Sequence, residues 1–248
     1  WFPSCIYTGR APAGVLLNAL GLTNRGLVWS LAHSSWQKRK RPFFLSIMPM
    51  GETPEQRFGE LCLALDELAK VLPAFRTSFG LQINLSCPNT GHDTSGLAQE
   101  AHDWLDAIVR RSGHLGHVPV LFKVNIFLPP NEAMRLGQHP RLDGYVCSNT
   151  IPWKDLAAIE VDPRTVFGTA VSPLSSLGGG WFSGPQAVPF VCRWIRELRE
   201  LGYTGVIIGE NGIRRPSHAI AMLEAGANGV GIGSMDIISP WLLFPTTL

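Results

Sequence analysis

From Phe43 onward, short apolar runs alternate with longer stretches whose apolar positions recur at helical spacing. "FFLSIMP" (43–49) reads as a strand. The segment after it, "TPEQRFGELCLALDELAKVL", puts Phe58, Leu61, Leu65 and Leu68 on one helical stripe, with Thr53 as N-cap and Pro54 at the first helical position. The alternation continues with strands over 80–86, 118–124, 142–148, 205–210 and 229–233. Helices are expected over 97–111, 131–136, 185–202 and 216–226. Between the strand at 142–148 and residue 184 lies a long connection rich in Gly, Ser and Pro. Residues 1–42 read as irregular, punctuated by Gly and Pro.

Six short strands, each apolar on both faces and each followed by a helix, form the pattern of a parallel sheet covered by helices. An open doubly wound sheet and a (β/α)8 barrel both produce it. No GxGxxG follows the first strand, which removes support for the dinucleotide-binding version of the open sheet. Two glycine-bearing strand ends come late, "IIGENGI" and "GVGIGSM". Barrels build phosphate sites there, from the loops after the seventh and eighth strands. Counting back makes 43–49 the third strand. The expected fold is therefore an α/β (β/α)8 TIM barrel without its first two strands, with residues 1–248 as a single domain shortened at its amino end.

Composition narrows the function classes. Of 248 residues 45% are hydrophobic and 16% charged, which fits a packed globule and excludes a disordered chain. The net charge of +2 gives no reason to expect nucleic acid as a partner, and the basic run "QKRKRP" (37–42) reads as a solvated loop. Cys5, Cys62, Cys87, Cys147 and Cys192 are odd in number and lack a CxxC spacing, so neither a disulfide framework nor a metal site is expected, and a reducing compartment is. No apolar run reaches the ~18 residues of a membrane span. The chain starts at Trp1 without a signal-peptide layout.

In a barrel, the carboxyl ends of the strands open into a shared mouth. Read in order, those ends carry "NLSCPN", Lys123, "SNT" (148–150), "GENG" (209–212) and "GIGS" (231–234). Carboxamides at Asn84, Asn89 and Asn149 both donate and accept hydrogen bonds, which suits a planar ring bearing N–H and C=O groups. Lys123 is a cation in an apolar strand, costly unless it meets an anion or an electron-rich ring. Glycine loops let backbone N–H groups approach a phosphate. Taken singly, each is an ordinary turn or core residue. Their common end of the predicted barrel is what turns them into a candidate site.

The strings "NALGLTNRG" (18–26), "INLSCPNT" (83–90), "LFKVN" (121–125), "SNTI" (148–151), "SGP" (183–185) and "IIGENGI…AGANGVGIGSM" follow the order found in dihydroorotate dehydrogenases, and the chain resembles that family from about residue 12 onward. The N-x-SCPN element is the most specific of them. The resemblance implies an FMN-dependent (β/α)8 barrel that oxidises dihydroorotate to orotate in pyrimidine synthesis. It assigns Cys87 as the base for the C5 proton and the flavin as acceptor of the C6 hydride. It makes Asn18, Asn84, Asn89, Asn149 and Thr150 the substrate-binding set, and Lys123 the lysine that meets negative charge on the flavin ring. Gly184, Gly209, Gly212, Gly233 and Ser234 become the binders of the FMN phosphate and ribityl chain. Cysteine rather than serine at the base resembles the soluble, class 1 branch, which implies a cytoplasmic enzyme; relatives commonly form homodimers.

Three departures from the family pattern stand out. The glycine pair after the seventh strand reads Asn211-Gly212, preceded by the anionic Glu210; Leu20 replaces a frequent methionine; and the first two strands, with a lysine the family carries there, have no counterpart. Two other readings remain open on the residues alone. One is a different flavin barrel acting on a dihydropyrimidine ring, such as a dihydropyrimidine dehydrogenase flavin domain or a tRNA dihydrouridine synthase. The other is a catalytically silent, truncated remnant.

Overall fold

The computed structural model describes residues 4–9, 14–21, 23–85 and 94–238. Its strands in chain order are β1 (Ile6–Thr8), β2 (Leu16–Asn18), β3 (Phe43–Ile47), β4 (Phe79–Asn84), β5 (Val120–Val124), β6 (Gly144–Cys147), β7 (Ile151–Pro152), β8 (Trp181–Ser183), β9 (Val206–Gly209) and β10 (Gly229–Val230). The helices are α1 (Leu27–His33), α2 (Pro54–Val71), α3 (Thr94–Leu115), α4 (Pro130–Gly137), α5 (Pro163–Phe167), α6 (Val188–Glu200), α7 (Pro216–Glu224) and α8 (Ser234–Ile238). The chain divides into two compact units, one of residues 24–124 and 131–145, the other of 1–23, 125–130 and 146–248.

The first unit is built on parallel β3, β4 and β5, with Leu45 opposite Leu81 and Leu81 opposite Val120. Leu81, Ile83, Val120 and Phe122 share one face of the sheet and are all but inaccessible, whereas Phe44 and Ser46, on the opposite face of β3, are exposed. Helix α2 starts where its capping chemistry dictates. Thr53 Oγ1 accepts the Gln56 N–H (3.3 Å), and Gln56 Oε1 accepts the Thr53 N–H (3.1 Å), a reciprocal capping box with Pro54 just inside. Leu61, Leu65 and Leu68 are fully buried on its inner face, each stabilising by roughly 2 kcal/mol. Phe58, expected on that stripe, is only partly buried.

A buried ion pair ties α2 to α3. Arg57 Nη2 and Nε donate to the two Glu100 carboxylate oxygens at 2.6 and 2.9 Å, and Nη1 donates to the Gly51 (2.9 Å) and Glu52 (3.1 Å) carbonyls. The fork of the guanidinium thereby fixes both the partner helix and the loop leading into α2. Helix α3 runs beyond the expected 97–111 at both ends.

The second unit departs most from expectation. Residues 1–42 contain β1 and β2 of this unit, with α1 falling in the first unit, rather than irregular chain throughout, and the long connection before 184 contains β7, α5 and β8. The four strands form an antiparallel sheet in the order β1-β2-β8-β7, with Leu17 opposite Phe182 and Phe182 opposite Ile151. One face closes a core of Leu17, Ile151, Leu156, Ile159, Phe167, Leu174 and Phe182. Strands of two or three residues are too short to print a period-2 signal, which is why this sheet escapes a reading by alternation. In the same unit β9 pairs in parallel with β10, Val230 opposite Gly209, and α6 and α7 follow. The last expected strand (229–233) stops at Val230. Among the described residues, no helix is long and apolar enough to cross a membrane.

Candidate active site

In the first unit, β4 and β5 end side by side. Asn84 and Lys123 are register partners, and the chain leaves β4 through Leu85, whose N–H donates to the Lys123 carbonyl at 3.0 Å. Phe122 and Val124 flank Lys123 and are buried, while Lys123 itself is half-buried, so its side chain takes the opposite face. Asn84 Nδ2 lies 3.4 Å from Met48 Sδ. The carboxamide and ammonium expected at adjacent strand ends are thus adjacent. Cys87 and Asn89 lie outside the described residues.

In the second unit the loop after β6 is held from several directions. Thr150 N–H donates to Asn149 Oδ1 (2.9 Å), and the Thr150 carbonyl accepts from Asn125 Nδ2 (2.9 Å). The Asn149 carbonyl accepts from Ser148 Oγ (2.7 Å) and from Asn211 Nδ2 (3.1 Å). Asn211 Oδ1 in turn accepts the Gly184 N–H at 3.4 Å. One carboxamide therefore links the turn after β9 to the loops after β6 and β8. Asn125 and Asn211 were not among the expected site residues, although "KVN" and "ENG" at strand ends are visible in the sequence. Asn18 donates through Nδ2 to the Trp181 carbonyl at 3.3 Å, tying β2 to β8.

The Asn211–Gly212 turn has φ of 73° and 83°, the left-handed region that asparagine tolerates better than most residues and glycine adopts freely. The asparagine in place of a glycine is thus compatible with the turn and adds two hydrogen bonds to it. His218 supports it from α7. Arg215 Nε donates to His218 Nε2 (2.9 Å), which leaves the proton on Nδ1, 3.2 Å from the Gly212 carbonyl. Nδ1 lies equally close to the Arg214 N–H, but the Arg215 contact decides the tautomer. Burial, Arg215 and Arg214 push the His218 pKa below its ordinary value, outweighing the Gly212 hydrogen bond.

The glycines expected at a phosphate differ in what they do. A Cβ at Gly209 would lie 2.8 Å from Met222 Sδ, so Gly209 lets α7 pack close to β9. A Cβ at Gly212 would meet the Gly184 carbonyl oxygen, so these two glycines stand back to back. Gly233 faces open space, and Ser234 opens α8. Glu210 lies on this loop too: its carboxylate covers Gly231.

Comparison with known proteins agrees with these motifs. A family profile described as dihydroorotate dehydrogenase matches residues 7–244. The catalytic subunit of dihydroorotate dehydrogenase B (NAD(+)) from Listeria monocytogenes is 26% identical over 232 residues, covering 93% of this chain and 69% of that protein. The same subunit from Streptococcus pneumoniae is 26% identical over 235 residues, covering 94% and 69%. Among solved structures, the Eimeria tenella dihydroorotate dehydrogenase crystallised with ferulenol superposes with a TM-score of 0.62 at 16% identity, over 94% of this chain and 66% of that one. That superposition shows the fold, a (β/α)8 barrel type of which this chain spans about two thirds of the solved protein's length. With the profile covering nearly every residue, the chain belongs to the dihydroorotate dehydrogenase family.

Proposed function

We propose that the chain binds FMN and oxidises dihydroorotate to orotate, the ring oxidation of pyrimidine biosynthesis. The observation that carries this reading is the family match over 7–244, which takes in every residue assigned a chemical role. The family consists of FMN-dependent oxidoreductases. The reading takes residues 1–248 as one cofactor-binding domain.

Converting the dihydropyrimidine to its 5,6-ene removes a proton from C5 and a hydride from C6. Cys87 takes the proton: a thiol titrates at about 8.5, far closer to neutrality than a serine hydroxyl. Asn18, Asn84, Asn89 and Asn149, with Thr150, hold the ring through carboxamides and a hydroxyl that match its N–H and C=O groups. Lys123 offers an ammonium to negative charge on the cofactor ring. Bound FMN supplies the hydride acceptor.

The loops of the second unit suit the phosphate end of that cofactor in their backbone. The Asn211–Gly212 turn has the left-handed φ that such loops use, and among the described residues no side chain fills the space beside Gly233. Gly184, Gly209, Gly212, Gly233 and Ser234 are the residues assigned to hold it. The cysteine base favours a cytoplasmic enzyme, the family's common dimerisation favours a homodimer, and the net charge of +2 favours a small-molecule substrate over nucleic acid. The relatives' names include NAD(+) and describe catalytic subunits, which favours NAD(+) as the final acceptor, reached through a further subunit.

Cys87→Ser tests the assignment. Flavin reduction by dihydroorotate should slow by at least about 100-fold while FMN remains bound. Unchanged reduction kinetics would remove Cys87 from the role of base.

A further inference from the structure

We propose that Arg214 is a phosphate-binding residue of the flavin site, its guanidinium recognising the monoester by which FMN differs from riboflavin; this rests on the flavin-binding function proposed above. Arg214 follows the Asn211–Gly212 turn by two residues. Its side chain lies across Gly14, which leads into Val15 and β2. A Cβ added at Gly14 would come within 2.9 Å of Arg214 Cζ and Nε and 3.0 Å of Nη2, so a glycine there leaves room for the guanidinium. Val15 in turn lies against the loop after β8: a Cβ at Gly184 would be 2.6 Å from Val15 Cγ1, and a Cβ at Gly212 would meet the Gly184 carbonyl. Gly14, Val15, Gly184, Gly212 and Arg214 thus form one cluster within the second unit, where the start of β2, the loop after β8 and the turn after β9 meet.

In this cluster Arg214 Nη1 is buried and meets no hydrogen-bond acceptor. A buried donor without an acceptor is costly, more so on a charged group, and its presence in a folded protein calls for a partner. Arg214 as a whole is only partly buried, so the cluster is not sealed. The proposed reaction brings two anions to the protein, the carboxylate of dihydroorotate and the phosphate of FMN. The carboxamide set is assigned to the substrate ring, whereas Gly184 and Gly212, the two glycines beside Arg214, are assigned to the phosphate. A phosphate monoester carries about −1.5 to −2 charges at neutral pH and presents three oxygens, which the planar fork of a guanidinium matches. The glycine loops supply neutral N–H donors, and Arg214 adds a full positive charge. Riboflavin has a hydroxyl in place of the phosphate and gains little from that charge.

The full chain, stripped of flavin, is titrated with FMN and, separately, with riboflavin, following quenching of flavin fluorescence. The wild type should prefer FMN. Arg214→Met, which keeps an apolar stem against Gly14 and removes the donors, should bind FMN about 10- to 100-fold more weakly and riboflavin as before. Arg214→Lys, which keeps the charge without the fork, should fall between the two. Three outcomes overturn the inference alone. An equal loss for both flavins would make Arg214 a residue that only shapes the loops. No loss for either would remove the guanidinium from the site. Unchanged FMN affinity with weaker orotate binding to the FMN-loaded protein would assign it to the substrate carboxylate. A wild type that binds neither flavin overturns the proposed function, and this inference with it. Should Arg214→Met not fold, Arg214→Lys carries the same comparison of the two flavins.

Discussion

Asn211 is the residue through which the site is most open to test. Its side chain makes two hydrogen bonds, to the Asn149 carbonyl at 3.1 Å and from the Gly184 N–H at 3.4 Å, and its backbone sits at φ 73°. These two contributions can be separated by substitution. Asn211→Gly keeps the backbone conformation accessible and removes both bonds. At about 0.5–1.5 kcal/mol each, with the longer bond at the low end, the loss should be about 1–2 kcal/mol. Asn211→Ala removes the same bonds and, unlike the Gly variant, keeps a Cβ in the left-handed region without the polar side chain by which asparagine tolerates it, which costs about 1 kcal/mol or more relative to Gly. Urea denaturation of the three proteins should therefore rank wild type above Gly above Ala. In thermal unfolding the Gly variant should melt about 2–8 °C below wild type, and the Ala variant lower still. Orotate affinity should fall in both variants, because the Asn149 loop loses its tether to the turn after β9. Gly and Ala variants of equal stability would show that the left-handed backbone is not a constraint there. A Gly variant as stable as wild type would remove the two hydrogen bonds from the account.

Two further perturbations test other parts of the molecule. Arg57→Leu leaves Glu100 with little solvent and no guanidinium, so it should destabilise by about 3–5 kcal/mol, while Arg57→Leu combined with Glu100→Leu should recover much of that loss; a single variant no less stable than the double one contradicts the ion-pair reading. His218 has its pKa lowered in the folded state, chiefly by burial, so the folded protein takes up that proton less readily than the unfolded chain. Its contribution is complete above the ordinary histidine value of about 6.5 and is lost as pH falls below it toward the folded value. Stability measured by urea titration should decline on acidification through that window, and His218→Gln should flatten the decline; an identical pH profile in both proteins sinks the assignment.

The parts of the fold legible in the sequence are those where local chemistry and burial agree. Helix α2 carries its own start signal in Thr53, Pro54 and Gln56, and its leucine stripe is the buried face. Strands β3 to β5 announce themselves as apolar runs, and the face carrying Leu45, Ile47, Leu81, Ile83, Val120 and Phe122 is buried, while Phe44 and Ser46 on the other face of β3 are exposed. The antiparallel sheet of β1, β2, β8 and β7 left no such trace. Its pairings, such as Leu17 with Phe182, join residues far apart in sequence, and each strand is too short for alternation to register. At the site, Asn84 and Lys123 were placed by motif, and they prove to be register partners. Asn211 read as a departure from a glycine pattern. Its use as a tie between three loops depends on which carbonyl and which amide face it in space, and spacing along the chain does not record that. Asn125 and His218 escaped for the same reason: each supports a turn belonging to another segment.

The central claim is that this chain holds FMN where dihydroorotate can reduce it. The direct measurement is the visible absorbance of the purified, FMN-loaded protein mixed anaerobically with dihydroorotate, with orotate assayed in the same sample. The account predicts a yellow protein that bleaches as one orotate forms per flavin. A protein that holds FMN but keeps its colour in excess dihydroorotate, with no orotate produced, contradicts it.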